Sequence, residues 1–95
     1  MTTIRIEIAD LENPTHVVAV VELTDHYAGE TVAGGRPLDD DVRRRLVDAL
    51  RRHPTTVVLL AFAGEQAVGL ATCFLGFSTF AARPLLNIHV IIVQK

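Results

Sequence analysis

Charge all but stops at residue 54. Residues 1–54 carry 17 of the 20 charged side chains, and residues 55–95 hold only Glu65, Arg83 and Lys95. The second stretch is about six-tenths apolar and rich in Val, Ile, Leu and Phe. Short apolar runs of this kind read as strands buried on both faces, the middle of a sheet covered on each side. The longest, Val57–Ala63, has seven residues and is far too short to cross a bilayer. The first half of the chain must therefore supply the cover.

Ile4, Ile6 and Ile8 alternate with Arg5 and Glu7, the period of a strand with one buried face. Asn13-Pro14 then opens a helix, with Asn as cap and Pro at the first helical position. Val17, Val18, Val20 and Val21 would suit a strand as well, but the cap and the continuation through Leu23, Thr24 and Tyr27 favour a helix ending near Gly29. Gly34-Gly35-Arg36-Pro37 is a loop, and Asp39, Asp40 and Asp41 load the first turn of a second helix, Asp40 to Arg52, that stops before Pro54. Asp39–Arg43, Asp40–Arg44, Asp41–Arg45 and Asp48–Arg52 stand four apart with the acid first, which predicts a solvated face of ion pairs. Leu38, Val42, Leu46, Ala49 and Leu50 form the expected buried stripe.

Thr56–Ala63 and Ala67–Leu75 are two strands joined through Gly64-Glu65-Gln66 as an antiparallel hairpin. Gly76–Pro84 reads as a longer excursion and Leu85–Val93 as the last strand. The expected architecture is α+β, one domain over residues 1–95 with a mostly antiparallel central sheet and the order β-α-α-β-β-β.

Composition excludes several roles. Nine Lys and Arg against eleven Asp and Glu, a net charge of −2, argue against an electrostatic nucleic-acid binder. Cys73 is the only cysteine, so no disulfide closes within the chain, and a reducing, cytoplasmic setting is expected. Met1–Asp10 alternates polar and apolar residues without the basic cap and apolar block of a signal peptide. His16, His26 and His53 show no metal-ligand spacing.

With Ala67-Val68-Gly69-Leu70-Ala71 in the third strand and Pro84-Leu85-Leu86-Asn87-Ile88-His89 entering the fourth, the chain resembles the amino-terminal half of the Gcn5-related N-acetyltransferases (GNAT). Gly76–His89 is similar to one bacterial branch of that family, with Val90 where the branch carries an acidic residue. The resemblance implies acetyl transfer from acetyl-CoA to an amine. It also implies that a phosphate-binding loop should follow the fourth strand, where the sequence ends in Ile91-Ile92-Val93-Gln94-Lys95, so the chain reads as truncated. By resemblance, the backbone of Ile91, Ile92 and Val93 would hold the pantetheine arm, and Tyr27 and Glu30 belong to the region that shapes the acceptor pocket.

Asn87 and His89, two apart on a strand, leave the same face. A histidine there is suited to deprotonating an incoming amine, the bland alternative being a buried, hydrogen-bonded structural pair. Phe74, Phe77 and Phe80 fall three apart, and Phe77 and Phe80 are candidates for a pocket mouth, the alternative being packing residues. Two functions follow. One is a GNAT-type acetyltransferase acting on a small-molecule amine, completed by a partner chain or inactive alone. The other is a non-enzymatic module that forms a homodimer or binds a partner through the exposed edge of the last strand.

Overall fold

The computed structural model describes residues 3–30 and 33–94. The elements run β1 (Ile4–Ile8), α1 (Pro14–Ala28), α2 (Asp40–Arg52), β2 (Thr56–Ala63), β3 (Gln66–Ser78) and β4 (Arg83–Val93). The four strands form one antiparallel sheet in chain order, β1-β2-β3-β4. This is the expected element order, and both helices begin and end where their caps predict. The Asn13 side chain accepts the Thr15 N–H at 2.9 Å and Pro14 takes the first helical position. Gly64, at φ 65°, makes the two-residue turn between β2 and β3.

The core lies between the helices and one face of the sheet. Val58, Leu60 and Phe62 of β2, Leu70 of β3 and Ile92 of β4 meet Ala19, Val20 and Leu23 of α1, with Val47 and Leu50 of α2 at the flank. Leu60 and Val20 are wholly buried. Leu46 and Leu50 of the expected stripe pack on the core, Leu38 and Val42 are half-buried, Ala49 is exposed, and Val47 is buried in addition. Arg43 ties α2 to α1. It leaves Asp39 and pairs with Glu22 at 2.7 Å and Asp25 at 3.0 Å on α1, while Asp25 also accepts the Leu38 N–H at 2.8 Å. The hydrogen bond from Arg43 to Glu22 raises the already high pKa of the guanidinium. Asp41–Arg45 and Asp48–Arg52 form as spaced, at 2.8 and 3.7 Å, whereas Arg44 reaches Asp41 at 3.9 Å instead of Asp40.

Three expectations need correction. The sheet is covered on one face only, since both helices pack on the same side. Ile4, Ile6 and Ile8 lie on the other side, at 53, 68 and 70% exposure, and it is Arg5 and Glu7 that face the helices. Alternation reveals which residues share a face and is silent about which face is covered. Finally, Gly76–Ser78 and Arg83–Pro84 are strand, and the excursion shrinks to a turn at 79–82. Pro84 is tolerated because β4 is an edge strand and Pro84 occupies a position whose N–H would point away from β3.

Arg5, Glu7 and His16 make a small polar cluster beneath α1. His16 Nδ1 accepts the Asp10 N–H at 2.8 Å, which leaves Nε2 to donate to Glu7 at 3.1 Å, and Arg5 Nε donates to the same carboxylate at 2.9 Å. Both imidazole nitrogens are used, so this buried histidine is structural. Two substitutions test the packing and capping. Leu60→Ala should lower unfolding free energy by about 3 kcal/mol, and Asn13→Ala by about 1 kcal/mol, as read from urea denaturation.

Candidate functional site

One backbone hydrogen bond sets the phase of the outer edge. The Gln94 N–H donates to the Val68 carbonyl at 2.7 Å, so Gln94, Ile92 and Val90 turn their backbone groups toward β3. The N–H and C=O of Ile91 and Val93 therefore point out of the sheet along its free edge. Ile92 has its backbone in the ladder and its side chain in the core. Among Ile91, Ile92 and Val93, the first and the last thus turn their backbone groups outward.

A register shift between Thr72 and Cys73 inserts His89 as an extra residue in β4, a β-bulge. Its consequence runs along the whole strand. Beyond the bulge the outward phase passes from odd to even residues, so Ile88 and Leu86 take the positions that Ile91 and Val93 hold before it. The His89 ring sits 6.0 Å from Phe74 in an edge-on contact, and Phe74 in turn meets His53 at 4.8 Å. His89 thus lies on the helix side, exposed, with no hydrogen bond among the described residues. The other three histidines are engaged. His16 is doubly bonded, His26 Nε2 stands 3.7 Å from Glu30, and His53 Nδ1 accepts the Thr55 N–H at 3.2 Å.

Asn87 pairs with Phe74 on the same side as His89, as the two-residue spacing predicts. Its amide fills the space over Gly76, where an added Cβ would stand 2.5 Å from Nδ2. Asn87 is not a buried structural amide but an exposed one held over glycine. Cys73 is buried opposite Ile88, on the face away from the His89 ring.

At the other end of β4, His26, Glu30, Val93 and Gln94 line a groove of about 390 Å³. It brings Glu30 to one of the outward backbone residues. His26 and Gln94 were not singled out from sequence, although the four-residue spacing of His26 and Glu30 was a usable signal. Tyr27 packs against the core instead, and Phe80 stands fully exposed at the β3–β4 turn, away from any of the other residues. Among the described residues no group of three or more metal-binding side chains converges, and no helix is long and apolar enough to cross a membrane.

The fold matches solved acetyltransferases. A possible acetyltransferase from Clostridium difficile 630 superposes with a TM-score of 0.76 at 22% identity, over 97% of this chain and 58% of its own. A GNAT family acetyltransferase of Staphylococcus aureus gives 0.68 at 13% identity, over 100% of this chain and 64% of that one. An aminoglycoside acetyltransferase from an uncultured soil metagenomic sample, solved in complex with sisomicin, gives 0.67 at 16% identity, over 97% and 57%. No protein-family model matches the sequence, and no curated protein sequence matches it. The chain has the GNAT-like α+β fold and spans 57 to 64% of the length of these structures.

The strand phase gives a direct test. In amide hydrogen exchange, Ile92 and Gln94 should be protected while Ile91 and Val93 exchange rapidly. Equal protection at all four would contradict the free edge.

Proposed function

We propose that this chain is the part of a GNAT-type N-acetyltransferase that holds the acyl-carrying arm of acetyl-CoA along β4 and presents a base to an amine. The observation that carries this reading is the edge of β4, where Ile91 and Val93 offer backbone donors and acceptors that no described residue pairs, next to the bulge at His89. An arm built of amide units suits such an edge, because it can pair with it as a further strand does. The nucleotide end fits less well. The N-terminus of α2 carries Asp39, Asp40 and Asp41, and that of α1 is closed by the Asn13 side chain, so neither described helix start offers phosphates a binding place.

When bound, the cofactor supplies an acyl group activated as a thioester. The protein's own residues do the rest. Outward N–H groups of Ile91 and Val93 orient the arm and lie where charge on a carbonyl oxygen is stabilised. His89, unengaged and exposed, takes the proton that the amine must lose. Glu30, beside Val93, offers a carboxylate to a cationic acceptor. The soil acetyltransferase solved with sisomicin, an aminoglycoside by that protein's name, supports an amine as the acceptor class.

Two measurements check this. On titration with acetyl-CoA, the amide resonances of Ile91 and Val93 should shift, and those of Ile8 on the far edge should not; unchanged Ile91 and Val93 resonances at millimolar ligand would sink the proposal. If the chain transfers acetyl groups to an amine, His89→Gln should lower kcat by about 100-fold and leave the resonance shifts intact.

A further inference from the structure

Three rings stand in a row on the helix side of the sheet, and only the last of them has a part in acetyl transfer so far. The His53 ring meets Phe74 at 4.8 Å and 64°, and Phe74 meets His89 at 6.0 Å and 63°. Both contacts are edge-on, an arrangement that aromatic pairs prefer over stacking face to face. The row is anchored at one end. His53 follows α2, where its N–H donates to the Ala49 carbonyl at 3.0 Å, and its Nδ1 accepts the Thr55 N–H at 3.2 Å. Phe74, in the middle, is half-buried and packs against the core. His89, at the other end, is exposed on the bulge of β4. Asn87 does not crowd it, because its amide leans over Gly76, toward the β3–β4 turn and away from the bulge. A Cβ on Gly76 would stand 2.5 Å from Asn87 Nδ2 and push that amide back.

We propose that Phe74 is a positioning residue for His89: its ring, backed by His53, holds the imidazole in one orientation. The proposal rests on the reading of His89 as the base that deprotonates the amine. A base must keep a nitrogen within hydrogen-bond reach of the proton it takes, and an exposed side chain on a bulge has several rotamers open to it. A hydrogen-bonded orienter such as a carboxylate solves this by taking one imidazole nitrogen. Among the described residues none does so for His89. An edge-on aromatic contact orients the imidazole without taking either nitrogen, so both stay available for proton transfer. Phe74 suits the task because it is itself held, by the core beneath it and by His53. Leucine in its place would fill much of the same volume and keep the packing, but it has no ring for His89 to meet.

The test begins without ligand, by nuclear magnetic resonance of the chain. The Hα–Hβ couplings of His89 should report a single rotamer in the wild type and in Phe74→Tyr, with cross-relaxation between the two rings, and an average over rotamers in Phe74→Leu. Averaged couplings in the wild type, or unchanged ones in Phe74→Leu, overturn the proposal. Where the chain transfers acetyl groups, Phe74→Leu should lower kcat about fivefold, the loss of one aromatic contact, and leave KM unchanged. Phe74→Tyr should restore kcat, and the leucine should cost nothing further in a His89→Gln chain. A kcat that survives Phe74→Leu, or a loss that persists without His89, overturns the proposal as well. A His89→Gln chain with the wild-type kcat sinks the base reading alone, and the couplings still decide the contact. Should Phe74→Leu fail to fold, the wild-type chain decides: one rotamer with a ring-to-ring signal upholds the contact, and averaged couplings without that signal overturn it.

Discussion

Two helices cover one face of a sheet that carries apolar side chains on both faces, and the remaining features follow from that imbalance. The core closes only between α1, α2 and the side of the sheet bearing Leu60, Phe62 and Leu70. Burial of those side chains drives folding, and each buried branched residue contributes about 2 kcal/mol. Ile6, Ile88 and Ile91 lie on the opposite side, where neither helix reaches them. An apolar face and a strand edge are therefore adjacent on one molecule. The edge offers directional backbone groups; the face offers only area.

The bulge at His89 links these surfaces. By adding one residue to β4, it shifts the strand's phase by one, so His89 joins Val90 on the helix side opposite Thr72. Without that residue, His89 would follow the alternation of Ile91 and leave on the apolar face. One inserted residue thus keeps an imidazole off the mostly apolar face and sets it beside Phe74 on the helix side.

Much of the fold was legible in the sequence because local chemistry controls it. Asn13-Pro14, the aspartates before α2 and Gly64 mark element ends through capping, dipole and turn effects that act within a few residues. Asn87 and His89 were legible as a pair for the same reason. Gly76–Ser78 reads as loop in the sequence because Gly76 and Ser78 are weak strand formers, and pairing with Arg83–Leu85 holds the segment extended. Arg43 was misassigned because Glu22 and Asp25, 21 and 18 residues away, outbid the local Asp39 once α1 lies alongside.

The sequence by itself determined the elements, their order and the alternation that divides each strand into two faces, since these rest on spacing along the chain. It even showed that residues 55–95 hold almost no charge. Only the tertiary structure decided which face the helices cover, where β4 bulges, and which backbone groups look outward. Those outcomes depend on register and packing between segments far apart in the chain, where a shift of one residue exchanges inside for outside and leaves the spacing unchanged.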